Sequence, residues 1–364
     1  MTSPPYRADV IGSLLRPAYL LEARERQDEL SPAEFKGIED RAVDACVAVQ
    51  AVTGVDVITD GEMRRNVFAS QLAQASEGFG VVEHNSVDWF TLDGEIETSP
   101  VTVGLVAPIV RKRHLSSEEF VYLRAAATKP TKMTLPSPTM YAYYWVPGVS
   151  EAAYPSPDAY MAAVTDILRD EVAELARLGC EYIQFDAPEF GMLIDPHQQA
   201  WFARKGFQPA RMLHDGIDML NAIMAGWSGI TFGLHVCRGN DANRYMARGG
   251  YDSIAREVFK RSTCQRLLLE YDDERSGSFE PLAQAPDDVT VVLGLVSTKT
   301  ARLETPAELK ARIQEASRYI ALERLALSPQ CGFASVATGN HLGADAQAAK
   351  LRLVAQVARE VWAD

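Results

Sequence analysis

Eight short apolar runs recur along the chain, each followed by a polar tip and then by a stretch with helical spacing. They lie at 8–13, 55–61, 132–138, 182–188, 232–238, 267–273, 290–297 and 325–332. Runs apolar at nearly every position suit strands buried on both faces, as parallel strands are. Eight such strands alternating with helices predict an α/β chain folded as one (β/α)8 TIM barrel, and 364 residues fall inside the range of about 200 to over 400 that this fold spans. The competing architecture is an open doubly wound sheet, but no Gly-rich dinucleotide turn follows the first run. Gly78-Phe79-Gly80 lacks the third glycine and a preceding strand.

The intervening stretches carry helix punctuation. Ser31 and Pro32 open the stretch 31–53 as N-cap and first helical residue, and Gly54 ends it. The stretch 157–178 is stopped by Gly179, and Thr305-Pro306 opens 305–319 in the same way. One segment breaks the alternation. Between 81 and 129, Leu92-Asp93-Gly94-Glu95 reads as a turn between two alternating runs, which predicts a β-hairpin excursion inserted before the third barrel strand. It is placed to cover the barrel mouth or to make a subunit contact. The expectation is a single domain over 1–364.

Composition removes several function classes. A net charge of −13 argues against a nucleic-acid partner, which needs a basic face. Arg111-Lys112-Arg113-His114 is too short to change that and reads as a solvated loop or helix start. No run approaches 18 uninterrupted apolar residues, so no membrane span is expected, and the N-terminus has no secretion signal. Five cysteines, an odd number, then suggest reduced thiols in a cytoplasmic protein. Cys46 and Cys180 read as core thiols, and Cys264 lies at the wrong end of its strand.

Active-site residues of such barrels sit at the C-terminal strand ends. His235 and Cys237 occupy positions i and i+2 of the fifth run, so both side chains aim at one point. Glu270 and Cys331 stand at the tips of the sixth and eighth runs. Imidazole, two thiolates and a carboxylate form a four-ligand set suited to Zn²⁺. The alternative is a hydrogen-bonded barrel histidine with two small core cysteines. Glu62 and Asp186, at the second and fourth tips, are either helix caps or binders of an ammonium group. Tyr144 and Trp145, after the third run, offer either a stacking surface for a flat donor or plain aromatic packing.

Read in order, these tips resemble the catalytic barrel of the cobalamin-independent methionine synthase family. The matching motifs are Ile11-Gly12-Ser13, Asp60-Gly61-Glu62 with Arg65-Asn66, and Gln184-Phe185-Asp186-Ala187-Pro188. They continue with His235-Val236-Cys237, Leu269-Glu270 and Ser328-Pro329-Gln330-Cys331-Gly332-Phe333. The resemblance implies that His235, Cys237, Glu270 and Cys331 bind zinc. It implies that Glu62 and Asp186 hold the homocysteine amino group, and that Ile11 and Ser13 contact its carboxylate, partly through backbone. The implied activity is methylation of homocysteine, held as a zinc-bound thiolate, to methionine. Glu270 is the ligand expected to loosen as the substrate sulfur arrives.

Two departures bear on the methyl donor. Long members of the family have a second, N-terminal barrel that helps grip a folate polyglutamate tail, and this chain is too short for one. The family's proton-donating histidine after the seventh strand has no counterpart; Lys299 stands near that place as a candidate catalytic residue. The implied donor is therefore a methylfolate or another methyl carrier, such as a methyl-corrinoid protein or a small methylated compound. A related reading, an epoxyalkane:coenzyme M transferase, would use the same zinc site but has less use for two ammonium-binding acids. A non-catalytic zinc-binding protein would predict a closed metal site without affinity for thiols.

Overall fold

The computed structural model describes residues 6–83 and 85–363. In chain order the strands are β1 (Ser76–Val81), β2 (Ser86–Phe90), β3 (Ile96–Pro100), β4 (Val103–Arg111), β5 (Met133–Pro136), β6 (Tyr182–Asp186), β7 (Thr231–Val236), β8 (Arg266–Glu270), β9 (Thr290–Val296) and β10 (Leu325–Pro329). The last six form one parallel sheet in the order β10-β9-β8-β7-β6-β5. Each is buried almost throughout, as their continuous apolar sequences require.

The first two apolar runs do not form strands. Each carries a single parallel bridge, Ala8 to Leu327 of β10 and Ile58 to Thr131 just before β5. Hydrogen bonds nevertheless pass from one sheet edge to the other through them. Asp9 N donates to Leu327 O at 2.9 Å, Asp56 N to Ala8 O at 2.9 Å, and Lys132 N to Ile58 O at 2.9 Å. Side chains explain the short pairing, because they take backbone groups that a ladder would use. Gln50 bonds both the N–H (3.0 Å) and the carbonyl (2.8 Å) of Thr59, Thr59 Oγ1 donates to Gly12 O (2.7 Å), and Asp56 accepts from Arg7 N and Ala8 N.

The helix punctuation is realised. Helix Pro32–Thr53 starts in a capping box of Ser31 and Glu34 and ends at Gly54, whose φ of 89° is left-handed. Helix Pro157–Arg177 is capped by Ser156, and helix Pro306–Ala316 has a second capping box, Thr305 with Glu308. No helix among the described residues is long and apolar enough to cross a membrane. The basic run at 111–114 is spent locally: Lys112 pairs with Glu77 and His114 with Glu171.

The excursion is larger than one hairpin and starts earlier, at Ser76. β1 pairs antiparallel with β4, and the tighter hairpin β2–β3 lies between them, turning through Gly94 (φ 89°). Gly78-Phe79-Gly80 lie on β1, and helix Ser117–Ala126 occupies the last part of the segment assigned to the insertion. The hairpin is tied over the C-terminal ends of the parallel strands. Phe90 and Tyr245, in the loop after β7, exchange backbone hydrogen bonds of 2.7 and 3.0 Å, and Trp201 Nε1 donates to Ser86 O at 2.7 Å.

Candidate functional site

A cavity of about 630 Å³ opens at the C-terminal ends of the parallel strands. Its floor contains Ile11, Ser13, Glu62, Asp186, His235, Cys237 and Cys331; its walls come largely from the excursion, including Phe79, Trp89 and Val101. Strand geometry puts His235 on β7 and Cys237 one residue past its end, facing the same way. Cys331, two residues past β10, meets them: the ligand atoms of His235, Cys237 and Cys331 all lie within 4.8 Å of one another, and all three residues are buried.

The donor set fits a metal. His235 Nδ1 lies 3.0 Å from the carbonyl of Leu268, which makes it the protonated nitrogen, while Nε2 is buried with no hydrogen-bond partner. Metal-binding histidines are oriented in this way, by a hydrogen bond from the other ring nitrogen. Of the two thiols, Cys331 is held well below its usual range by the neighbouring Cys237, and Cys237 is pushed well above by Cys331.

Glu270 stands outside that trio. Its Oε2 accepts from Arg238 N at 2.7 Å, and its Oε1 lies 3.3 Å from Arg275 Nη2. Burial opposes its charge, but Lys299, Arg275 and Arg238 together hold its carboxyl below the usual carboxylate range. Lys299 is buried behind the cavity wall; its Nζ donates to Gly239 O (3.1 Å) and Asn240 Oδ1 (2.9 Å). Tyr144 lines the cavity. Trp145 does not: it is buried against Tyr160, with ring centroids 5.9 Å apart.

The two acids face the cavity. Asp186 Oδ1 accepts from Gln184 Nε2 at 2.7 Å, and burial, reinforced by nearby Glu62 and opposed by His235, pushes its carboxyl up to about 7. Glu62 Oε1 accepts from Thr134 Oγ1 at 2.8 Å and lies 3.5 Å from Arg65, while Oε2 is buried without a partner. Glu62 has φ 55°, a strained conformation for a residue with a side chain. The sharp turn at Asp60-Gly61-Glu62 thus turns this carboxylate into the cavity. Gly12 leaves room opposite: a Cβ there would lie 2.6 Å from Glu62 Oε1 and would push that carboxylate from its place. Ser13 Oγ accepts from Ala334 N at 3.3 Å, and the Ile11 carbonyl accepts from Gln184 Nε2 at 2.8 Å.

Sequence reasoning gives Gln184 no role beyond its place in a motif and misses Asn240. Gln184 is two residues before Asp186 on one strand, a same-face spacing that could have found it. Asn240 had no such signal. Its amide bridges Thr298 Oγ1 (2.9 Å) and Gly332 O (2.8 Å), joining the loops that carry Cys237 and Cys331.

Residues 10–360 match the family model described as the cobalamin-independent synthase catalytic domain. The chain belongs to that family. Among relatives, YxjH of Bacillus subtilis, itself uncharacterized, is 32% identical over 98% of this chain and 95% of its own. A methionine synthase of Pyrococcus abyssi is 25% identical over 91% of this chain and 87% of its own. A solved structure from Listeria monocytogenes, a candidate vitamin-B12-independent methionine synthase, superposes with a TM-score of 0.75 at 26% identity, covering both chains fully. The family thus places this chain among methionine-synthase-like methyltransferases with an α/β barrel-type fold.

Proposed function

We propose that the chain is a single catalytic (β/α)8 domain, its ring completed by the two single-bridge segments, that methylates the thiol of homocysteine to give methionine. The observation that carries this reading is the buried trio His235, Cys237 and Cys331, with an unpartnered imidazole nitrogen, beside two carboxylates in one cavity. The trio supplies the soft nitrogen and sulfur donors that Zn²⁺ takes. A bound Zn²⁺ would make a substrate thiol, of pKa about 8.5 when free, a thiolate at neutral pH.

The remaining work belongs to the chain's own side chains. Asp186 and Glu62 bind the substrate ammonium, which favours the charged form of Asp186. Gln184 holds Asp186 in place. The backbone at Ile11 and Ser13 receives the carboxylate end, and Glu270 stands beside the trio as the carboxylate that completes or leaves the donor set. The excursion covers the cavity and excludes water from the thiolate.

The test is titration of homocysteine into the zinc-loaded protein. Release of about one proton per site near neutral pH, with one more sulfur neighbour seen by zinc-edge X-ray absorption, supports the reading. Homocysteine that binds without either change overturns it.

A further inference from the structure

The loop after β8 gives the Glu270 carboxylate a resting place outside the trio. Arg275 lies in the short 3-10 turn Glu274–Ser276, which Asp273 caps. Asp273 Oδ1 accepts from Arg275 N at 2.9 Å, and its Oδ2 accepts from Arg275 Nε at 2.8 Å and Nη2 at 2.7 Å. The guanidinium also packs on the Tyr245 ring, 4.5 Å from its centroid. Tyr245 is fixed in turn by the excursion, stacking on Phe90 with ring centroids 5.6 Å apart. Arg275 is therefore anchored by an acid and a ring, and from that place its Nη2 reaches Glu270 Oε1 at 3.3 Å. Of the two partners, the carboxylate is the one able to move.

The loop also tolerates its departure. Leaving one member of a buried ion pair alone is strongly destabilising. Here Asp273 stays on the guanidinium, and Asp272 Oδ1 lies 3.8 Å from the same Nη2, buried and with no hydrogen-bond partner among the described residues. A second acid thus stands ready beside the arginine. Two other cations face Glu270, but they are committed elsewhere. Arg238 gives its guanidinium to the Gly249 and Glu270 carbonyls, and Lys299 gives its ammonium to Gly239 O and Asn240. Among the described residues, Arg275 is the cationic side chain that hydrogen-bonds the Glu270 carboxylate.

We propose that Arg275 is a positioning residue that receives the Glu270 carboxylate when a substrate thiolate takes its place beside His235, Cys237 and Cys331. The inference rests on the zinc and homocysteine reading above and names where the displaced carboxylate goes. The exchange swaps one anion for another, thiolate for carboxylate, and the thiol proton goes to solvent. Two consequences of opposite sign follow. Glu270 must leave Arg275 to complete the donor set, so Arg275 competes for the carboxylate and weakens metal binding. Glu270 returns to Arg275 as the thiol binds, so Arg275 strengthens thiol binding. An arginine that only supported the loop would, on removal, weaken both.

The experiment measures two affinities in the full chain: zinc by competition with a chromophoric chelator, and homocysteine by calorimetry of the zinc-loaded protein. Arg275→Gln should bind zinc about tenfold more tightly and homocysteine about tenfold more weakly, the size expected of one charge-assisted hydrogen bond. Arg275→Lys keeps the charge without the planar fork and should shift both affinities the same ways by about threefold. It carries the test if the glutamine variant does not fold. In Glu270→Gln, whose side chain has no charge to exchange, adding Arg275→Gln should change neither affinity. Shifts of the same sign, no shift in either affinity, or opposed shifts that persist in the Glu270→Gln background overturn the inference and leave the homocysteine reading standing. A parent protein that takes up no zinc, or that holds zinc without binding homocysteine, overturns the functional reading itself.

Discussion

Gln184 donates its side-chain amide to Asp186 at 2.7 Å, while its own oxygen accepts from the buried ammonium of Lys132, also at 2.7 Å. The polar interior beneath the parallel strands is thus wired to the floor of the cavity. Lys132 in turn is paired with Asp9 at 2.8 Å. A fully buried chain of this kind is costly to leave half satisfied, which gives Asp186 one fixed orientation. It remains ready to accept from a ligand with its other oxygen.

Asp186→Asn should therefore weaken homocysteine binding tenfold or more, since a charge-assisted hydrogen bond is worth about 1.5–3 kcal/mol. Metal content should be unchanged. 3-Mercaptopropionate, which lacks the amine, should bind the parent poorly and lose little on mutation. Calorimetry of both thiols with both proteins checks this. Equal losses would show that Asp186 does not read an amine, and an epoxide-opening thiol chemistry would then move ahead.

Metal content should separate the cysteines. Cys237→Ser and Cys331→Ser should each lose bound zinc by elemental analysis of the purified proteins, from about one ion per chain in the parent. Cys46→Ser should retain it, because Cys46 lies in helix Pro32–Thr53 and its thiol is spent on Thr59 O and Gln50. Full zinc in either of the first two variants would remove that cysteine from the donor set.

Lys299 should behave as a strut. Lys299→Met removes the donor to the buried Gly239 carbonyl and one of the two donors to Asn240 Oδ1, the other being Asn340 Nδ2 at 3.1 Å, which should lower unfolding free energy by about 1–3 kcal/mol. Asn240→Ala should destabilise by a similar amount. The pH profile of kcat should keep its shape in Lys299→Met. Loss of one limb with stability intact would instead make Lys299 the proton donor.

Glu189 gives a pH signature away from the metal trio. It is fully buried, accepts from Thr139 at 2.6 Å and from Ser137, and burial raises its carboxyl to about 7. A carboxyl whose folded value exceeds its unfolded value of about 4.3 binds its proton more tightly when folded. The stability this confers is complete below about pH 4.3 and is lost as pH rises toward 7. Glu189→Gln, which cannot ionise, should therefore gain on the parent by about 1–3 kcal/mol between pH 4.5 and 7.5. Urea unfolding of both proteins across that range measures the difference. A constant difference would show that Glu189 does not titrate there.

Much of the architecture was written locally. The buried strands are legible as unbroken apolar runs because both faces of a parallel strand meet apolar neighbours. Ser31, Gly54 and Thr305 mark helix ends because capping is a contact within a few residues. The pairing of His235 with Cys237 follows from the two-residue period of a strand, and the turn at Gly94 from its positive φ. What the sequence could not decide depends on partners far away along the chain. The runs at 8–13 and 55–61 look like full strands, yet Gln50 and Asp56 take their backbone groups and reduce each to one bridge. Tyr144 and Trp145 are adjacent and equally aromatic, but only the packing of Tyr160 sends Trp145 into the core and leaves Tyr144 on the cavity. Glu270 has the right strand tip for a ligand, and Arg275 with the Arg238 backbone determines where its carboxylate rests. Local sequence sets which way a side chain leaves its own strand or helix. What it then meets is chosen by segments tens to hundreds of residues away: Phe79 and Trp89 join the cavity lining only because the excursion folds over the strand ends.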